Sequence, residues 1–230
     1  MFEKPIEAVL FDMDGLLIDS EAVYIEAMQA AARSLDRDMP LAFCHSMIGI
    51  PYRECNVMIQ DLYGAGFGLE EFRTVYSINV KQLMAVRIPV KPGVAELLDF
   101  LDERGLPRAI ATSAGRATVE HHLGRAGLLD RFQALATRDD VVHAKPHPDV
   151  FLEAARRLGV APERCVAFED SNPGLTAAHA AGTMAIMVPD ILQPTPEVRA
   201  KCLTVLPDLH AALRLLREAL TRPSIKQMEK

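Results

Sequence analysis

Asp12 and Asp14 stand two residues apart at the end of an apolar run, in the stretch VLFDMDGLLIDSE from Val9 to Glu21. Carboxylates are costly to desolvate, so such a pair points to a cation or a reaction, unless the two merely serve a turn or a helix cap. Three other short stretches carry reactive residue types. RAIATS (108–113) ends in Thr112 and Ser113, CVAFED (165–170) ends in Glu169 and Asp170, and AKPHPD (144–149) holds Lys145. Together they suit phosphoryl transfer. An ionised carboxylate such as Asp12 can attack phosphorus and form an acyl phosphate. Residues i and i+2 of an extended chain face the same way, so Asp14 can stand beside Asp12 and serve the leaving oxygen. Thr112 Oγ and nearby backbone N–H groups suit phosphate oxygens. Lys145 would neutralise both nucleophile and phosphate. Several carboxylates beside a phosphate dianion repel it, and a hard cation, Mg²⁺, resolves the repulsion.

These residues need a scaffold that brings them to one place. Five short apolar runs recur along the chain: AVLFD (8–12), RAIATS (108–113), ALATRDD (134–140), CVAFED (165–170) and MAIMVPD (184–190). Near-continuous apolar strands of this length fit a parallel sheet covered on both faces. Helical patterns lie between them. GVAELLDFLDERG sets Val94, Leu97, Leu98 and Leu101 on one face and stops at Gly105, and PDVFLEAARRLG opens on Pro148. The alternation predicts an α/β protein with a doubly wound parallel-sheet, Rossmann-like core. Ligands in such sheets bind beyond the carboxyl ends of the strands, where the reactive residues fall. Residues 21–88 break the alternation: they read as helices interrupted near Pro40, Gly49–Pro51 and GAGFG (64–68). That is too long for a loop, so a small helical domain is expected as an insertion after the first strand. The expected division is a core of residues 1–20 and 89–222, a helical cap of residues 21–88, and a flexible polar tail of residues 223–230.

Composition narrows the function. Half of the 230 residues are hydrophobic, about a quarter are charged, and the net charge is −6. This is globular composition, and it argues against a nucleic-acid partner. Cys44, Cys55, Cys165 and Cys202 form no C-x-x-C pair and suggest neither a zinc site nor a disulfide framework. No apolar stretch approaches the ~20 residues that cross a bilayer. Charged residues appear almost at once, so no signal peptide is expected, and a reducing cytoplasm is the expected location. A monomer is favoured.

DMDGLLIDS, IATS, AKPHPD and FEDSNPG occur in an order that resembles the haloacid dehalogenase superfamily of phosphotransferases. The resemblance spans about residues 8–190 and lies nearest the branch of sugar-phosphate phosphatases and β-phosphoglucomutases. It implies Asp12 as nucleophile and Asp14 as general acid/base. It implies Thr112 and the Ser113 backbone N–H as phosphate ligands, and Lys145 as the neutralising lysine. Asp12, the Asp14 carbonyl and Asp170 would hold Mg²⁺, with Glu169 acting through a water. Arg53, in GIPYRE, resembles the cap arginine that faces the substrate. Two positions depart from the mutase pattern. Tyr24 stands where that branch has a histidine, and Asn79, close to Lys81, stands where it has a cap lysine.

The resulting expectation is a Mg²⁺-dependent phosphatase that hydrolyses a small phosphorylated metabolite through an aspartyl-phosphate. A phosphomutase is the alternative. A phospho-accepting signalling module is more remote, because receivers carry their acidic pair on the first strand and lack an insertion. Plainer readings are preferred elsewhere. GAGFG is a turn, His121–His122 and His143/His147 are solvated positions rather than metal ligands, and Arg156–Arg157 is a solvated helix face. Ser20 is read as a helix cap, and Tyr24 and Met47 as cap packing.

Overall fold

The computed structural model describes residues 2, 4–48, 50, 52–86 and 88–221. The tail expected at 223–230 and the chain breaks at Gly49 and Pro51 lie outside the described residues. After β1 (Ala8–Phe11) come four helices: α1 (Ser20–Ser34), α2 (Leu41–Ser46), α3 (Tyr52–Tyr63) and α4 (Leu69–Val86). Then follow α5 (Val94–Glu103), β2 (Arg108–Ala111), α6 (Arg116–Arg125), β3 (Ala134–Ala136), α7 (Asp149–Leu158), β4 (Cys165–Glu169), α8 (Asn172–Ala180) and β5 (Met184–Met187). The chain closes with α9 (Pro196–Arg199), β6 (Thr204–Val205) and α10 (Leu209–Thr221). By its contacts the chain forms two compact units, Asp19–Ile88 and the remainder.

In the larger unit six parallel strands lie in the order β3-β2-β1-β4-β5-β6. Every residue of β1, β2 and β4 is buried, which is why all of them but Arg108 and Glu169 are apolar. Helix α7 covers the sheet with Val150, Phe151, Ala154 and Ala155, while Arg156 stays exposed. Fully burying a side chain such as Phe151 contributes roughly 1.5–3 kcal/mol. Gly105 and Gly159 end α5 and α7 at positive φ (61° and 69°), where a side chain would be strained.

Two elements were not expected. β6 is a two-residue edge strand and α9 a single turn, each too short to leave a periodic pattern. The sheet therefore has six strands rather than five.

In the unit Asp19–Ile88, α1 presents Ala27 and Ala31, and these small side chains let α4 pack closely. Asn79 of α4 donates to the Ala27 carbonyl at 3.4 Å. Met39, Cys44, Met47, Ile59, Phe67 and Phe72 fill the interior. The GAGFG stretch is the turn between α3 and α4. Gly64 takes φ 88°, and Phe67 folds back into the core between Tyr63 and Phe72.

Candidate active site

The strand order reverses between β1 and β4, and a crevice opens at the carboxyl ends of such neighbours. Asp12 follows β1 there, Glu169 ends β4, and Asp170 follows it. Asp12 N–H donates to the Phe168 carbonyl at 3.1 Å, which extends the strand pairing to the reactive position. Lys145 arrives from the loop before α7. It donates to Asp12 Oδ1 at 2.5 Å and to Glu169 Oε1 at 2.6 Å, with its Nζ 5.1 Å from the centre of the Phe151 ring. The other Glu169 oxygen accepts from Asp170 N–H, Ser171 N–H and Ser171 Oγ, each at 3.0 Å. Ser171 Oγ in turn accepts from Gly174 N–H at 3.1 Å and so caps α8.

Two glycines make room for this arrangement. A methyl group on Gly174 would overlap the Glu169 carboxylate. One on Gly15 would overlap the Asp170 carboxylate, and Gly15 also takes φ 81°. Gly15 sits in a tight turn in which Ile18 N–H donates to the Met13 carbonyl at 3.0 Å.

Burial governs the charges. It pushes the Asp12 carboxyl up to about 7, with the Glu169 and Asp14 charges adding to the rise and Lys145 opposing it. Burial, then Glu169 and Asp12, drives the Asp170 carboxyl well above its ordinary range. Burial would lower Lys145, but Asp12 and Glu169 outweigh it, and the ammonium is held more firmly than usual. One lysine thus faces three carboxyl groups, from Asp12, Glu169 and Asp170, which can each offer an oxygen within 4.8 Å of the others. An all-oxygen set with excess negative charge fits a hard divalent cation such as Mg²⁺.

The remaining expected residues are placed as follows. Thr112 is buried just beyond β2, its Oγ1 accepting from Ala114 N–H at 3.2 Å, and Ser113 is exposed beside it. Asp14 is half-buried, and its side chain is not in the three-carboxylate cluster. Arg53 is exposed on α3.

Three plainer readings need correction. His122 is buried on α6, and burial lowers its pKa while the Asp14 charge acts against that shift. Arg157 is not a purely solvated group, because it donates to Asp140 at 2.7 Å and Glu153 at 2.6 Å. Ser20 is a buried first-turn residue of α1, and the cap position belongs to Asp19. Met47 packs in the core of the helical unit as expected, and both Met47 and Tyr24 also line a cavity there. Sequence reasoning missed Ser171, Gly174 and Gly15. The signal for the first two was present in FEDSNPG, a Ser-x-x-Gly helix opening. Gly15 belongs to the same motif as Asp14.

A parallel sheet with a lysine-bridged carboxylate cluster at its switch point defines a class of phosphate-handling α/β enzymes. The chain belongs to the haloacid dehalogenase-like hydrolase family, whose model matches residues 6–182. It is an enzyme of the phosphatase kind. It is 33% identical over 177 residues to the phosphorylated carbohydrates phosphatase of Thermotoga maritima, covering 77% of this chain and 82% of that one. It is 34% identical over 192 residues to hexitol phosphatase B of Escherichia coli K12, covering 81% and 85%. The crystal structure of a HAD family hydrolase from Deinococcus radiodurans, with bound phosphate and sodium, matches with a TM-score of 0.80 and 28% identity. That match covers 96% of this chain and 99% of that one.

Proposed function

We propose that the protein is a Mg²⁺-dependent phosphatase that hydrolyses a small phosphorylated metabolite through an aspartyl-phosphate on Asp12. The observation that carries this reading is the Lys145 ammonium, 2.5 Å from Asp12 and 2.6 Å from Glu169 beside Asp170. An Asp12 oxygen attacks phosphorus, and the bond to the leaving oxygen breaks as Asp14 hands it a proton. Asp14 then takes a proton from water, whose oxygen attacks phosphorus and frees Asp12 and inorganic phosphate. Thr112 Oγ and the Ser113 N–H orient the phosphate, and Lys145 offsets charge on Asp12 and on the phosphate. Asp12, the Asp14 carbonyl and Asp170 would hold Mg²⁺, which when bound supplies Lewis-acid stabilisation of the phosphate oxygens. Glu169, already engaged by Lys145 and Ser171, suits an outer role through water.

Hydrolysis is favoured over phosphomutase chemistry by Tyr24 and Asn79, which replace the ionisable groups of the mutase pattern, and by the phosphatase names of the relatives. Substrate choice is assigned to the helical unit, Arg53 included. Four free thiols support a reducing cytoplasm. Asp12→Asn tests the mechanism. It is expected to lower phosphate release by at least about 10³-fold and to abolish acid-stable labelling by a ³²P substrate, with far-UV circular dichroism unchanged. Activity within tenfold of wild type would overturn the covalent route.

A further inference from the structure

Asp190 lies beyond the end of β5, at the same edge of the sheet as Asp12, Glu169 and Asp170. Val188 N–H donates to the Glu169 carbonyl at 2.7 Å, which carries the β4–β5 pairing past the strand and brings Asp190 alongside Asp170. The two oxygens of Asp190 differ. Oδ1 accepts from Lys91 Nζ at 2.5 Å, and Lys91 N–H donates to the Leu17 carbonyl at 2.9 Å. Oδ2 is buried and has no hydrogen-bond partner among the described residues. It points at Gly15. A methyl group on Gly15 would overlap the Asp170 carboxylate and stand 3.5 Å from Asp190 Oδ2, so the two carboxylates close on one spot. All of these residues belong to the larger unit.

A buried acceptor without a donor is costly, and a second carboxylate beside it adds repulsion. A tie between Lys91 and Asp190 needs only Oδ1. It gives no reason for Oδ2 to be packed against the acidic cluster. A donor arriving from the side of Asp170 would remove the cost. Mg²⁺ brings such donors, because it keeps several of its waters when bound. Direct ligation does not fit, since Asp190 is not in the group of oxygens within 4.8 Å that Asp12, Glu169 and Asp170 offer. Its reach to a cation runs through a water.

We infer that Asp190 is a positioning residue of the cation site: its Oδ2 accepts a hydrogen bond from a water carried by the divalent cation, while Lys91 holds Oδ1. This rests on the phosphatase reading above, and calorimetry separates the two. Mg²⁺ is titrated into the whole protein without substrate, at 50 and 500 mM NaCl. Asp190→Asn is expected to raise the Mg²⁺ Kd by about tenfold or more at both salt concentrations, because Lys91 keeps the amide oxygen and the amide N–H groups face the cation's water. The far-UV circular dichroism of the metal-free protein is expected to stay unchanged. Asp190→Ala is expected to match it, with water from the cavity of about 330 Å³ beside Gly15 and Lys91 taking the vacated space. Lys91→Met leaves the acceptor in place and is expected to keep the Kd within about threefold or to tighten it. A wild-type Kd in both Asp190 variants would overturn the proposal and leave the phosphatase reading standing. A loss that disappears at 500 mM NaCl would also overturn it, by showing long-range attraction alone. So would a loss in Lys91→Met equal to that in Asp190→Asn, which would make the pair a brace of the fold. No Mg²⁺ binding by the wild-type protein would overturn both readings.

Discussion

At the scale of single residues, Glu169 is the pivot of the acidic cluster. It is fully buried, yet each of its oxygens has a donor, from Lys145 on one side and Ser171 with two backbone N–H groups on the other. A buried charge with this many partners holds Lys145 in one position, and Lys145 in turn meets Asp12. The space for Glu169 exists only because residue 174 lacks a side chain. Gly174→Ala is therefore expected to destabilise the protein by about 2 kcal/mol, as overpacking does, and to lower kcat by displacing Glu169 and Lys145. Urea denaturation with a phosphate-release assay checks both. An unchanged midpoint would show that Glu169 finds another rotamer at no cost. Gly124→Ala is the counter-case. Gly124 is exposed near the end of α6 with nothing within 4 Å of a new methyl, so alanine is expected to stabilise by roughly 0.5–1 kcal/mol.

Between elements, Asp140 links the end of β3 to α6 and α7. It accepts from Thr137 N–H at 2.8 Å and Thr137 Oγ1 at 2.7 Å, from Arg116 at 2.9 Å and from Arg157 at 2.7 Å. Partial burial would raise its pKa, but these donors outweigh it and hold the carboxyl far below the usual carboxylate range. A depressed folded-state pKa means stability that is complete above the unfolded value near 4 and is lost as pH falls toward the folded value. Asp140→Asn is thus expected to cost about 2 kcal/mol at pH 7, with the gap to wild type closing below pH ~4. Urea midpoints measured from pH 3 to 7 check this. A constant gap across that range would show that the amide loses packing or geometry rather than charge.

For the molecule as a whole, charge balance at the sheet's carboxyl edge is the ground for the proposed metal requirement. Asp12, Glu169 and Asp170 face one lysine, and a divalent cation would relieve the excess. Exhaustive chelation is expected to abolish phosphate release, and Mg²⁺ to restore it. Ca²⁺ is expected to restore little, because it accepts more oxygen ligands at longer range. Binding should also stabilise the fold by about 2.7 kcal/mol at a hundredfold excess over Kd. This is readable as a rise in Tm that Asp170→Asn loses. A Tm indifferent to Mg²⁺ in wild type would remove the cation from this site.

The amino-acid sequence by itself determined the elements and the order of the motifs, because both depend on local spacing. Apolar runs of three or four residues mark β1, β2 and β4, the 3.6-residue stripe marks α5 and α7, and the breaks at Pro40 and GAGFG part the helices of the insertion. The places of Asp12, Thr112, Glu169 and Asp170 were legible because each stands at or just beyond the carboxyl end of a strand, and Lys145 was read into the long loop between β3 and α7. Only the tertiary structure decided what depends on neighbours distant in sequence. Edge strand β6 exists because Met187 and Ile186 offer it partners, not because Thr204–Val205 has a pattern of its own. His122 is buried and Arg157 is tied to Asp140 because of what packs against α6 and α7, and neither fact is written in a helical period. The cavity in the insertion is of the same kind. Met47 reads as packing within the insertion, and space remains beside it because side chains from four helices meet there without filling it.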